Sequence, residues 1–318
     1  MKVRFWGTRG SLPRPMTASE VRWKISRVLE AAQNHDLADA EAREHFIDSV
    51  LPFVLRGSCG GNTSCVQIDG SDEHILCDAG TGLRDFGNHL TKSGEGRSST
   101  FHIFLSHLHW DHIQGFPFFS PAYVPGNRIY IYGCHPNMAE AFKRQQESPF
   151  FPVTLAELGA SIQFISLSAD KEYDISGFHI RIMEQDHPGK SYGYSFSRSG
   201  RKIVYSTDSE HQSNPEGSPF VDFFRDADLL IFDAQYSLAE AELIKRTWGH
   251  SSNIMGVELA VLAGARHLVL FHTEPNFDDQ RLEDIREKTN AYRSIYAEER
   301  PLAISIAYDG LEIDLSRF

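Results

Sequence analysis

Ser106-His107-Leu108-His109-Trp110-Asp111-His112 decides how this chain is read. Three histidines and an aspartate fall within six residues, directly after the apolar run Phe101-His102-Ile103-Phe104-Leu105. Imidazole and carboxylate are ligands that zinc and similar cations accept. Packed into one loop, they make little sense as core and good sense as a metal cradle. Ligands this crowded cannot all reach one tetrahedral ion, so the loop predicts two adjacent ions. Paired metals activate water and clamp both the attacking and the leaving oxygen in phosphoester hydrolysis.

The pattern His-x-His-x-Asp-His after a strand resembles the metallo-β-lactamase superfamily of hydrolases. The resemblance runs through nearly the whole chain, in the order that family requires. It takes in Val3-Arg4-Phe5-Trp6-Gly7-Thr8-Arg9-Gly10-Ser11, Gly60-Gly61-Asn62-Thr63-Ser64 and Leu76-Cys77-Asp78-Ala79-Gly80-Thr81-Gly82. Beyond the histidine cluster come Asp186-His187-Pro188, Tyr205-Ser206-Thr207-Asp208, Gly249-His250-Ser251-Ser252 and Leu270-Phe271-His272-Thr273. The resemblance implies an α/β (α+β) fold, a four-layer αββα sandwich with the metals at the upper edge of its two sheets. It implies one ion on His107, His109 and His187, and a second on Asp111, His112 and His272. Asp208 would bridge both ions, together with a water or hydroxide. His187, Asp208 and His272 each follow a strand-like run, so rigid elements present them. Asp78 is expected to buttress a ligand histidine from behind. Two divalent ions are therefore the expected cofactors, zinc first, with manganese or iron as alternatives.

Length and composition suit one domain. The expected ligands run from residue 107 to residue 272 of 318, so the site needs both halves of the chain. A hydrophobic content of 41% supports a real core. No stretch approaches the apolar length of a membrane span. The N-terminal residues read as a strand without a signal-peptide core, so a cytoplasmic enzyme is the default expectation. The four cysteines are too few and too scattered for a disulfide scaffold. Net charge is −12, and the basic residues are dispersed. A protein that grips long nucleic acid usually offers its phosphates a basic stripe. The balance favours a small anionic substrate over a polymer.

Strand-like runs at 2–6, 65–69, 74–78, 101–105, 128–132, 162–165, 179–183, 193–197, 202–206, 228–232, 267–271, 303–307 and 311–314 outnumber helix-like ones at 138–146, 218–225, 253–263 and 279–296. That interleaving suits two packed sheets flanked by helices. Residues 16–57 stand apart. Thr17 and Glu20 have capping-box spacing. Val21, Ile25, Val28 and Ala32 then make one apolar helical face. Phe46, Ile47, Val50 and Leu51 suggest a second short helix. The resembling family usually joins these flanks by a shorter link, so 16–57 reads as a helical insertion. It is a surface pair packed on its own sandwich, a lid over the metals, or an arm reaching a second subunit of a homodimer.

The scaffold hosts lactam, thioester, sulfur and phosphodiester chemistry, so fold alone cannot choose. The deciding stretch is Gly249-His250-Ser251-Ser252-Asn253, opening the helix-like 254–263. A histidine there resembles the phosphodiesterase branch, which includes ribonuclease Z and cyclic-nucleotide phosphodiesterases. The resemblance implies that His250 protonates the leaving oxygen, that Asp233 orients His250, and that Asp111 or Asp208 orients the attacking water or hydroxide between the metals. Ser251, Ser252 and Asn253 are candidate phosphate donors, and Phe118 and Phe119 a candidate aromatic wall. Only twenty positions separate His187 from Asp208. They read as one hairpin, with no sign of the long substrate-gripping arm of ribonuclease Z. The expected reaction is hydrolysis of a small phosphodiester, with 3′,5′-cyclic nucleotides first. The alternatives are RNA processing of the ribonuclease Z kind and a metal-bearing nucleotide-binding protein without turnover.

Overall fold

The computed structural model describes residues 1–211, 215–236, 249–297 and 300–317. Two seven-stranded sheets stack face to face. The first takes, edge to edge, β14 (Glu312–Asp314), β1 (Lys2–Gly7), β2 (Cys65–Asp69), β3 (His74–Cys77), β4 (Thr100–Phe104), β5 (Arg128–Gly133) and β6 (Ser161–Ser166). The second takes β7 (Tyr173–Ile175), β8 (Phe178–Gln185), β9 (Ser191–Arg198), β10 (Arg201–Ser206), β11 (Leu229–Asp233), β12 (His267–Phe271) and β13 (Ala303–Ile306). Each sheet is antiparallel over its first four strands in that order and parallel over its last four. Parallel strands need cover on both faces, and the burial agrees. Every residue of β4, β11 and β12 is buried. One apolar cluster fills the space between the sheets, with Phe5, Phe104, Tyr194, Phe196, Tyr205 and Phe271 among its largest members. A second lies between the second sheet and its helices, through Phe224, Phe232, Leu259 and Leu282. A third lies under the helices of the first sheet, through Phe86, Phe101, Phe116 and Phe142. The molecule is thus the αββα sandwich expected from the sequence.

Most strand and helix expectations hold within a residue or two. The helix Gly82–Ser93 was not expected. Its glycines are poor helix formers, yet at Gly82 a Cβ would stand 2.5 Å from the backbone carbon of Trp6. Close packing against β1, not local propensity, places that helix. Among the described residues no helix is long and apolar enough to cross a membrane.

The 16–57 segment is helical. Thr17 caps the helix Ala18–Ala32, with the capping box from Glu20 formed. A six-residue helix, Ala40–His45, runs into a π-helical turn, Phe46–Val50, and Phe53–Arg56 adds one last turn. Of the expected apolar face, Val21 and Ile25 are exposed, as is the neighbouring Leu29, while Val28 and Ala32 are half-buried. The most deeply docked side chain of the helix is polar. Lys24 is buried, and its ammonium donates to Asp279 Oδ2 and to the carbonyl of Gly57. Arg9 completes this buried charge group. It is fully enclosed, donates to the carbonyls of Phe277 (2.8 Å) and Gly60 (3.1 Å), and lies 3.9 Å from Asp279. Unpaired, such charges would be costly to bury. Together they fasten the insertion and the loop after β1 to the helix Asp279–Tyr296.

Candidate metal centre

Strand direction brings the expected residues to one edge. Asp78 follows β3, and residues 107–112 begin just after the neighbouring parallel strand β4. In the second sheet, β8, β10, β11 and β12 all point the same way, and His187, Asp208, Asp233 and His272 sit at their C-terminal ends. Three of these residues are held at positive φ: Asp78 at 60°, Asp208 at 55° and His272 at 57°. Left-handed backbone is unusual for a side chain larger than glycine, and it concentrates at functional sites.

The side chains converge in two groups around one carboxylate. His187 Nε2 stands 3.2 Å from His109 Nδ1, and the donor atoms of His107, His109 and His187 lie within 4.8 Å of one another. On the other side, His112 Nε2 is 3.1 Å from His272 Nε2, and Asp111 Oδ2 is 3.1 Å from both. Asp208 stands between the groups. Its Oδ1 is 3.8 Å from His107 Nε2 and 3.9 Å from His187 Nε2, while its Oδ2 is 3.3 Å from His112 Nε2 and 3.4 Å from His272 Nε2.

A family model described as a beta-lactamase superfamily domain matches residues 73–273, more than half of the chain. The chain belongs to the β-lactamase superfamily. It resembles ribonuclease Z of Acaryochloris marina (strain MBIC 11017), at 26% identity over 76% of this chain and 88% of that protein. Among solved structures, its fold is similar to that of the metallo-β-lactamase fold protein YhfI from Bacillus subtilis, with a TM-score of 0.64 and 20% identity over 98% of both chains. The short form of human tRNase Z superposes with a TM-score of 0.60 and 22% identity over 99% of both. The protein is a metal-dependent hydrolase of this superfamily.

Membership implies divalent ions, and the chemistry of these residues fits them. Zinc–imidazole bonds are about 2.0–2.1 Å, so two nitrogens on one tetrahedral ion sit about 3.3 Å apart. The His109–His187 and His112–His272 separations are close to that. His107 Nε2 is buried without a hydrogen-bond partner, a lone pair held out of water for another purpose. Burial and the neighbouring histidines push His107 well below the ordinary histidine range, and burial likewise lowers His109 and His187. Neutral imidazole is the ligand form. Burial alone would raise Asp111 and Asp208, but the imidazoles around them outweigh it and hold both carboxyls low. His112 is pulled the other way: burial opposes its charge, and Asp111, Asp208 and Asp78 overcome it. A cation would satisfy Asp111 and Asp208, leaving Asp78 to His112 Nδ1.

The surroundings position these groups. Asp78 accepts from Ser106 N, Ser106 Oγ and Tyr205 OH and lies 2.7 Å from His112 Nδ1. His187 Nδ1 donates to the carbonyl of Gly249 at 2.8 Å. Ser11 N donates to Asp111 Oδ2 at 2.8 Å. This last contact, like the hydroxyl of Tyr205, escapes sequence reasoning, because a backbone amide carries no residue signature. His250 is brought into the cluster. Its Nδ1 lies 2.8 Å from Asp233 Oδ2, and its ring stacks on His272 at 5.3 Å. Asp233 is fully buried and is held by the amides of Ser209 and Gln235.

The expected substrate contacts divide. Ser251 Oγ donates to the carbonyl of Ser209, Ser252 Oγ caps the helix Asn253–Ala263, and Asn253 Nδ2 donates to Thr289. All three are buried and engaged inside the protein, which corrects their reading as free phosphate donors. Phe119 is also core, packed against Phe86 and Phe101. Phe118 is 57% exposed and leans edge-on against Phe151.

Proposed function

We propose that this protein hydrolyses phosphodiesters, with His250 as general acid. The observation that carries the reading is the His250–Asp233 pair set against the ligand cluster. Nothing in lactam or thioester hydrolysis asks for it. Two divalent ions, zinc in the first instance, held by His107, His109 and His187 and by Asp111, His112 and His272 with Asp208 between, would supply an activated water and neutralise the phosphoryl charge. The chain supplies the rest. Asp233 accepts from His250 Nδ1, so Nε2 is the atom left to carry a proton to the departing oxygen. Ser11 N fixes the orientation of Asp111, and Asp78 fixes that of His112.

A short or cyclic nucleotidyl diester is the preferred substrate, with 3′,5′-cyclic nucleotides the first to try. Two observations support this. Residues 191–206 are consumed by the hairpin of β9 and β10 inside the second sheet, which leaves no room between His187 and Asp208 for a long arm. The chain's net charge of −12 offers little to a polymer of phosphates. A second reading, RNA processing, is favoured by the likeness to ribonuclease Z. The zinc-loaded protein and its Asp111→Ala variant should be assayed in parallel on 3′,5′-cyclic nucleotides, bis(p-nitrophenyl) phosphate and precursor transfer RNA. Cyclic-nucleotide turnover lost in the variant supports the first reading. Cleavage of RNA alone selects the second, and no turnover of any of the three overturns both.

A further inference from the structure

Several large apolar side chains are exposed among the described residues; besides those of the insertion and of the helix Asp279–Tyr296 they include Trp110 at 80%, Leu12 at 61% and Phe118 at 57%. Trp110 lies between His109 and Asp111 in the chain, so its Cα is about 3.8 Å from the Cα of each. Leu12 follows Ser11, whose amide holds Asp111. Two exposed apolar groups are therefore tethered to one carboxylate of the site. Among the described residues the Trp110 indole has neither a ring partner nor a hydrogen-bond partner. It opens the short helix Trp110–Ile113 but gives nothing to the core beneath. A large aromatic face left open beside a phosphate-handling centre suits a planar ring. The charge balance sharpens the point. With a net charge of −12, attraction for phosphate outside the metal cluster is weak, so the rest of a substrate must be held by uncharged contacts.

We propose that Trp110, flanked by Leu12, is the base-stacking wall of the substrate site, and that the phosphodiester taken is therefore a nucleotidyl one. This rests on the phosphodiesterase reading for its turnover but not for its binding. A base stacked on an aromatic side chain typically strengthens binding about tenfold or more. The zinc-loaded protein should be titrated calorimetrically with thymidine 5′-monophosphate and with methyl phosphate, which share the phosphate and differ by the nucleoside. The wild type is expected to favour the nucleotide by about tenfold or more. Trp110→Ala should bring the two affinities together, and Trp110→Phe should restore most of the difference. The kinetic counterpart compares thymidine 5′-(p-nitrophenyl phosphate) with methyl p-nitrophenyl phosphate. Trp110→Ala should raise KM for the first, leave the second unchanged and leave the metal content unchanged. A wild type indifferent to the base, or a Trp110→Ala variant that still prefers the nucleotide, overturns the inference. Failure of the wild type to hydrolyse either ester, with the binding preference present, would count against the phosphodiesterase reading alone.

Discussion

Replacing His250 by alanine should damage turnover in proportion to how badly the leaving oxygen needs a proton. His250 Nδ1 is 2.8 Å from Asp233 Oδ2, and Asp233 is itself fixed by two backbone amides, so the imidazole is held in one tautomer and one orientation. A positioned general acid contributes about 10²–10⁴-fold. An alkoxide leaving group calls on all of it, whereas p-nitrophenolate departs unaided. His250→Ala should therefore lower kcat on a cyclic or dialkyl diester by about 10²–10⁴-fold and leave bis(p-nitrophenyl) phosphate nearly untouched. Asp233→Asn should sit between, since a hydrogen bond to a charged group is worth about 1.5–3 kcal/mol, or roughly ten- to a hundredfold. The pH profile gives an independent check. Burial works against the charged form of His250, but the Asp233 carboxylate outweighs it and raises the imidazole above the ordinary histidine range. The acid must be protonated to act, so activity falls as pH rises through that value. Removing the Asp233 charge moves the falling limb to lower pH. Equal losses on both leaving groups would refute the reasoning. Loss of bound metal in His250→Ala would show that His250 is a ligand, which its proximity to His187 and Asp208 allows geometrically.

Three other outcomes follow from the geometry. At Gly10 a Cβ would stand 2.7 Å from the His272 imidazole and 2.8 Å from Gln235 Nε2, so Gly10→Ala should lower metal content, measured by elemental analysis, while leaving the folded circular dichroism spectrum in place. Metal retained at the wild-type level would mean that the loop yields freely. Asp309 is pushed up to about 6 by burial, against the amides of Asn62 and Gly61 that favour its charge. The folded state therefore holds its proton more tightly than the unfolded chain does. The resulting stability is complete below about pH 4 and is lost as pH rises through about 6, up to roughly 3 kcal/mol; chemical unfolding of Asp309→Asn should show a weaker loss over that window, and an unaltered slope rejects the assignment. Val21, Ile25 and Leu29 of the insertion are exposed, and their pairing with the same residues of a second copy about a two-fold axis is open to test. Sedimentation should find a wild-type dimer and an Ile25→Asp monomer, and a wild type already monomeric at micromolar concentration ends that idea.

The parts of this molecule that were legible in its sequence share a physical cause. Each expected ligand is written next to the strand that carries it, and a buried parallel strand is a short apolar run that local pattern exposes. His272 after residues 267–271 and Asp208 after residues 202–206 are of this kind. Once the strand directions are set, the ends of β4, β8, β10 and β12 must meet at one edge, so chemistry and architecture are read from the same words. What stayed hidden depends on segments far apart in the chain. Periodicity showed that 18–32 is an amphipathic helix, but not which face docks. The partner of Lys24 is Asp279, 255 positions away, and that pair buries Lys24 while Val21 and Ile25 stay exposed. Ser251, Ser252 and Asn253 look like phosphate donors because they open a helix, and they are consumed by Ser209, a cap and Thr289 because that helix is buried. Ligands for an ion can be spelled locally, since the ion collects them wherever strands end. Side chains close to those ends are not sorted by residue type, since exposure alone separates Trp110 and Phe118 from a buried Phe119.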